Sequence, residues 1–156
     1  MSNLTFKTTL GDYRDALTFL GNRADRILCY RTHVANYGNG SKVRVLHHGS
    51  IIGTFYRDAT LYGPLTMSHA VPVLRLRTAG WSSKTTTDRM NRLLRSTLEG
   101  LGPGVRYWTH SIRIKGGAAV LTTDSGLGGA TSEPIGGRSV AVYADGEVRV
   151  EVDIDG

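Results

Sequence analysis

Six cations form the first candidate for chemistry. Arg75 and Arg77 sit in the run VPVLRLRT, and Lys84, Arg89, Arg92 and Arg95 sit in KTTTDRMNRLLR. At the helical repeat, Arg89, Arg92 and Arg95 share one face. A guanidinium is planar and grips phosphate through two parallel hydrogen bonds. A stripe of this kind suits contact with a nucleic-acid backbone, with strong salt dependence and little base preference. A solvated helix face is the plainer alternative. The segment Lys84-Thr85-Thr86-Thr87 before the first free amides offers a second candidate, since a helix start can hold a phosphate. Asp88 already complements the dipole there, so an ordinary cap by Thr85, with Trp81 packed as a core residue beneath it, is the simpler reading. Tyr30, Tyr37, Phe55, Tyr56, Tyr107 and Trp108 can stack on bases, although a core needs most of them.

Enzyme signatures are missing. The five histidines, His33, His47, His48, His69 and His110, show no metal-binding spacing, and neighbours such as His47 and His48 point to opposite faces of a strand. His110 with Asp58 or Asp124 is a conceivable acid–base pair that nothing in the sequence brings together. The run Ser125-Gly126-Leu127-Gly128-Gly129 lacks the lysine and helix of a phosphate loop. Cys29 reads as a buried thiol in an apolar strand. No catalytic residue, metal or cofactor is expected.

These residues must be positioned by a mostly hairpin-built scaffold. Alternation predicts strands over 26–35, 42–47, 51–56, 71–78, 105–114, 118–122, 139–143 and 147–153. Glycine and asparagine mark turns at 37–41 and 48–50, and Asp145-Gly146 is a strong hairpin signal. On 71–78, Leu74 and Leu76 share one face and Arg75 and Arg77 the other, read as wet. Residues 58–68 read as a loop, with a short strand at 60–62. One amphipathic helix is predicted over 86–100 from Met90, Leu93, Leu94 and Leu98, and a short one over 11–20. The Gly-rich stretch 123–138 reads as a flexible loop and 139–156 as an acidic terminal hairpin. The fold class is therefore α+β: an antiparallel sheet of seven or eight strands with the helix packed on it.

The 156 residues suit a single domain. Residues 1–138 carry a net charge of +10 and 139–156 carry −4. A basic body with an acidic end can meet a polyanion or pair with itself. The 15 Arg against 4 Lys suit phosphate contact, although GC-rich coding produces the same bias. No apolar run is long enough for a signal peptide or a membrane span, and a lone cysteine excludes an internal disulfide. A soluble protein of a reducing cytoplasm is expected.

Tyr37-Gly38-Asn39, Leu46-His47-His48-Gly49-Ser50-Ile51-Ile52 and Gly80-Trp81-Ser82-Ser83-Lys84-Thr85-Thr86-Thr87-Asp88-Arg89-Met90-Asn91-Arg92-Leu93-Leu94 form a pattern. It resembles a family of small proteins encoded by tailed bacteriophages, including those infecting actinobacteria. The likeness covers a core over 37–122. The connection over 58–72, the loop over 123–138 and the acidic hairpin depart from it. The resemblance implies a phage origin and a host cytoplasm, and no mechanism. The reading is a non-enzymatic accessory protein that binds a host protein or nucleic acid. The alternative is a minor virion or assembly protein that self-associates through sheet edges, acidic hairpin against basic body.

Overall fold

The computed structural model describes residues 6–37, 40–62, 71–78, 83–102, 110–124 and 129–153. The first helix, α1 (Tyr13–Leu20), is opened by Asp12, whose carboxylate accepts the Asp15 N–H at 2.9 Å. The single strand expected over 26–35 is a hairpin, β1 (Asp25–Cys29) with β2 (Thr32–Tyr37). Its turn places Arg31 at φ 59 with no glycine to announce it, so the alternation reads as unbroken. β3 (Lys42–His47) and β4 (Ser50–Tyr56) form the expected second hairpin. Its central residues, His48 and Gly49, both have positive φ, as a tight turn of this kind requires. A six-residue helix, α2 (Arg57–Tyr62), replaces the loop and short strand expected there. Ala59 draws it onto Tyr56 and Val73.

Then follow β5 (Leu74–Leu76), α3 (Lys84–Gly100), β6 (His110–Lys115), β7 (Ala118–Asp124), β8 (Ala130–Pro134), β9 (Ser139–Val142) and β10 (Val148–Glu151). The class is α+β as expected, but with ten strands among the described residues, in two antiparallel sheets. The larger runs β1-β2-β3-β4-β5-β9-β10 and the smaller β6-β7-β8. β9 and β10 pair as the expected terminal hairpin, and β9 also pairs with β5 inside the large sheet. The expected segments at 38–39, 63–70, 79–82, 103–109, 125–128 and 154–156, including Trp81, Tyr107 and Trp108, lie outside the described residues.

α3 begins two residues earlier than expected. Its cap is Ser83, whose hydroxyl accepts the Thr86 N–H at 3.2 Å, in place of Thr85. Met90, Leu93, Leu94 and Leu98 are buried, as their spacing requires. They rest on β4, β5 and β9, while the helix also meets β6 of the small sheet. Two residues fix that seat. A Cβ on Gly53 would lie 3.1 Å from Leu93 Cδ1 and 3.4 Å from Leu76 Cδ2, so the missing side chain lets α3 approach the sheet. The Asn91 amide donates to the Ile112 carbonyl at 2.8 Å and accepts the Ile112 N–H at 2.7 Å, acting as a strand neighbour for β6. One apolar cluster runs from Leu10 and α1 through α3 to Ile112, Leu121 and Ile135.

The stretch 123–138, expected as a loop, holds β8, which pairs with β7 from Ala130 to Pro134. All five of its residues are exposed, so no burial pattern signalled the strand. The Ile135 N–H bonds back to the Ala119 carbonyl at 3.1 Å. By alternation, Pro134 then turns its donorless nitrogen to the free edge, which blunts that edge against further pairing.

Candidate functional site

The six cations singled out by sequence do not form one surface. β5 turns Leu74 and Leu76 into the core beneath α3, which sends Arg75 and Arg77 to the far face of the sheet. That face was expected to be wet. Arg75 is instead 4% exposed, because the chain after β9 folds beside it. Its guanidinium lies 3.0 Å from a Glu151 carboxylate oxygen. It also donates to Ser139 Oγ at 2.9 Å, to Tyr56 Oη at 3.3 Å and to the Val152 carbonyl at 3.4 Å. Arg77 pairs with Asp153 at 3.0 Å. The basic body and acidic end of the chain therefore meet each other. Tyr143 donates to the same Glu151 carboxylate at 2.6 Å. Burial, followed by that bond, pushes its phenol up to about 12.

Arg89 is a second correction. It begins the expected arginine stripe but is 4% exposed. It lies on the flank of α3 nearest the ends of β2 and β3, where its Nε donates to Thr32 Oγ1 at 3.3 Å. The Thr32 hydroxyl lies 2.8 Å from His47 Nδ1. Burial, His48 and Arg89 together hold the His47 imidazole below its usual 6.5. A neutral ring can accept the Thr32 proton while Thr32 accepts from Arg89 Nε.

Lys84, Arg92 and Arg95 remain on the surface. Lys84 is almost fully exposed, 3.8 Å from Asp88 one turn on. Arg92 and Arg95 line a cleft of about 750 Å³ between residues 6–9 and α3, together with Lys7, Thr8, Thr9 and Ser96. A second cleft of about 330 Å³ continues it along the seam between α3 and β6. The two share Asp88, Asn91 and Arg95, and the second adds His110, Ser111 and Arg113. Arg95 thus stands where the two meet. Among the described residues neither Arg95 nor the Lys7 ammonium has an ion-pair partner, and Arg92 lies only over the Phe6 ring, at 5.7 Å. Arg113 donates to Ser111 at 3.2 Å. His110 sits 3.2 Å from Thr123 Oγ1, and burial holds its pKa below 6.5. Asp88 is the one carboxylate lining this groove among the described residues.

Sequence reasoning missed Lys7 and Arg113. Lys7 reaches the groove because its N–H bonds to the Leu28 carbonyl at 2.9 Å and Leu10 is wholly buried, which lays residues 6–9 along the helix. No spacing rule links these residues to 92 and 95. Of the aromatics, Phe55 and Tyr56 are buried, while Tyr30 and Tyr37 are about half exposed beneath Arg31 and Arg44. Cys29 is buried, as expected. Among the described residues no group of three His, Cys, Asp or Glu can hold a metal, and no helix is long and apolar enough to cross a membrane.

Comparisons with protein-family models, curated proteins and solved structures return no match.

Proposed function

We propose that this protein is a non-enzymatic nucleic-acid-binding protein that lays a phosphate backbone in the groove beside α3. The observation that carries the reading is the convergence on one cleft of Lys7, Arg92 and Arg95, which have no carboxylate partner among the described residues. Eight other arginines, at 26, 57, 75, 77, 89, 113, 138 and 149, have a carboxylate, carbonyl or hydroxyl partner within the chain. Three cations left over in a concave site mark a place for an external anion. The sequence motifs that resemble a phage family favour a host cytoplasm as the setting. The acidic hairpin is engaged with Arg75 and Arg77, which weakens the reading in which it docks on another copy.

Fluorescence anisotropy with labelled single-stranded DNA, duplex DNA and RNA at two salt concentrations tests the proposal. Three phosphate contacts give a slope of about −2 for a single strand, or roughly 20-fold weaker binding over a fourfold rise in salt. Arg95→Ala should weaken binding and lower that slope by about 0.7. Arg138→Ala, beside Glu133 at β8 and outside the groove, should leave both unchanged. No binding to any of the three nucleic acids at low salt refutes the proposal.

A further inference from the structure

α1 and α3 cover one face of the large sheet, and the opposite face of β1, β2 and β3 leaves Asp25 and Ile27 exposed beside half-buried His33, Ala35, Arg44 and Leu46. Val34, Val43 and Val45 point into the core, so their alternating neighbours Ile27, His33, Ala35, Arg44 and Leu46 point outward. Ile27 is 59% exposed, far more than a satisfied strand residue needs. The pairing register aligns these residues in two rows across three strands. One row is Asp25, Ala35 and Arg44, and the other is Ile27, His33 and Leu46. Each row ends in a complementary pair: opposite charges in the first, two branched aliphatics in the second. Among the described residues, His33 Nε2 and Arg44 Nε on this face are shielded from solvent and have no hydrogen-bond partner.

We infer that a second copy of this chain covers the face, about a two-fold axis running along β2. Such an axis exchanges β1 with β3 when two sheets stack face to face. It sets Ile27 over Leu46 of the second copy and Asp25 opposite Arg44 of the second copy, twice each. Ala35 lies on the axis, and its small side chain lets the sheets close. Arg44, now resting on the Tyr37 ring, gains a carboxylate neighbour. The Asp25 carboxylate is half exposed beside His33 and has room for a second donor. Both copies contribute the same patch, so the contact closes at two chains. The footprint of three short strands is small, so the dimer is weak and concentration-dependent. The groove beside α3 lies on the other side of the sheet, so this inference and the nucleic-acid proposal stand or fall separately.

Sedimentation equilibrium and light scattering on the native chain test it, up to roughly 500 μM, where even a weak standard interface associates. The mass should rise from 16.9 kDa toward about twice that value. Asp25→Arg and Arg44→Asp should each abolish the rise, and the double reversal should restore it. Ile27→Lys should also abolish it, with the circular dichroism spectrum unchanged. A mass fixed at one chain overturns the proposal. So does dimerisation that survives Ile27→Lys, or a double reversal that fails to recover what the single reversals lose. A surface used by a different protein gives the first of these outcomes.

Discussion

Replacing Glu151 by Gln removes a charge and almost no volume. Arg75 is nearly inaccessible, and Glu151 supplies its carboxylate at 3.0 Å. The guanidinium keeps its bonds to Ser139, Tyr56 and Val152, and these neutral acceptors balance a buried charge less well than a carboxylate does. Breaking a buried pair from one side costs about 3–5 kcal/mol. Glu151 is about one-quarter exposed, and screening brings the expected loss to the lower end, about 3 kcal/mol. For a chain of this size that lowers Tm by about 9 °C. Urea unfolding followed by circular dichroism reads it as a drop in midpoint at constant slope. The matched control is Asp58→Asn, whose pair with Arg57 is about half exposed on both sides and is worth under about 1 kcal/mol. Substituting Met for Arg75 and Leu for Glu151 together should recover part of the loss, because no orphan charge remains although the Tyr143 hydroxyl loses its Glu151 acceptor. A loss below about 1 kcal/mol for Glu151→Gln would show that water reaches Arg75, and the burial argument would fail.

Three further outcomes follow from the geometry. Gly53→Ala should destabilise by about 1–2 kcal/mol in the same urea assay, since the added methyl displaces Leu93 and lifts α3; an unchanged midpoint would show the contact is loose. Asn91→Ala should cost about 2 kcal/mol by stranding the Ile112 N–H and carbonyl, with early hydrogen exchange in β6 as its signature and unaltered exchange as the contrary result. Acid should also weaken the fold through His47 and His110. Both are held below 6.5 when folded, so the unfolded chain takes up protons first as pH falls. Stability is therefore complete above about pH 6.5 and declines below it, and a urea midpoint that rises on acidification through that range contradicts the assignment.

Local signals in the sequence located most of the scaffold. The Met-and-leucine spacing placed α3, and Asp145-Gly146 placed the terminal hairpin, because both patterns are short-range. β8 escaped because an exposed strand held by backbone and polar side-chain bonds has no apolar alternation. The turn at Tyr30-Arg31 escaped because a left-handed arginine carries no sequence mark. For the groove, Arg92 and Arg95 were legible as a stripe, and Lys84 as its exposed start. Arg89 does line the cleft with Arg92 and Arg95, but its burial was not legible because helical spacing gives direction and not what lies opposite. Its burial depends on Thr32, which is 57 residues away. Arg75 likewise looked exposed, since nothing local reveals that a strand 76 residues downstream will cover it.

That long separation has a consequence for how the polypeptide matures. The ribosome releases β5 well before Glu151 and Asp153 exist, so the middle of the large sheet emerges with two guanidinium groups lacking counter-charge. β9 must insert beside β5 and carry β10 with it before the first half of the protein can settle. A product truncated before residue 151 keeps all three described helices but leaves that neutralisation undone. The β9–β10 hairpin thus acts as the clasp that closes the large sheet.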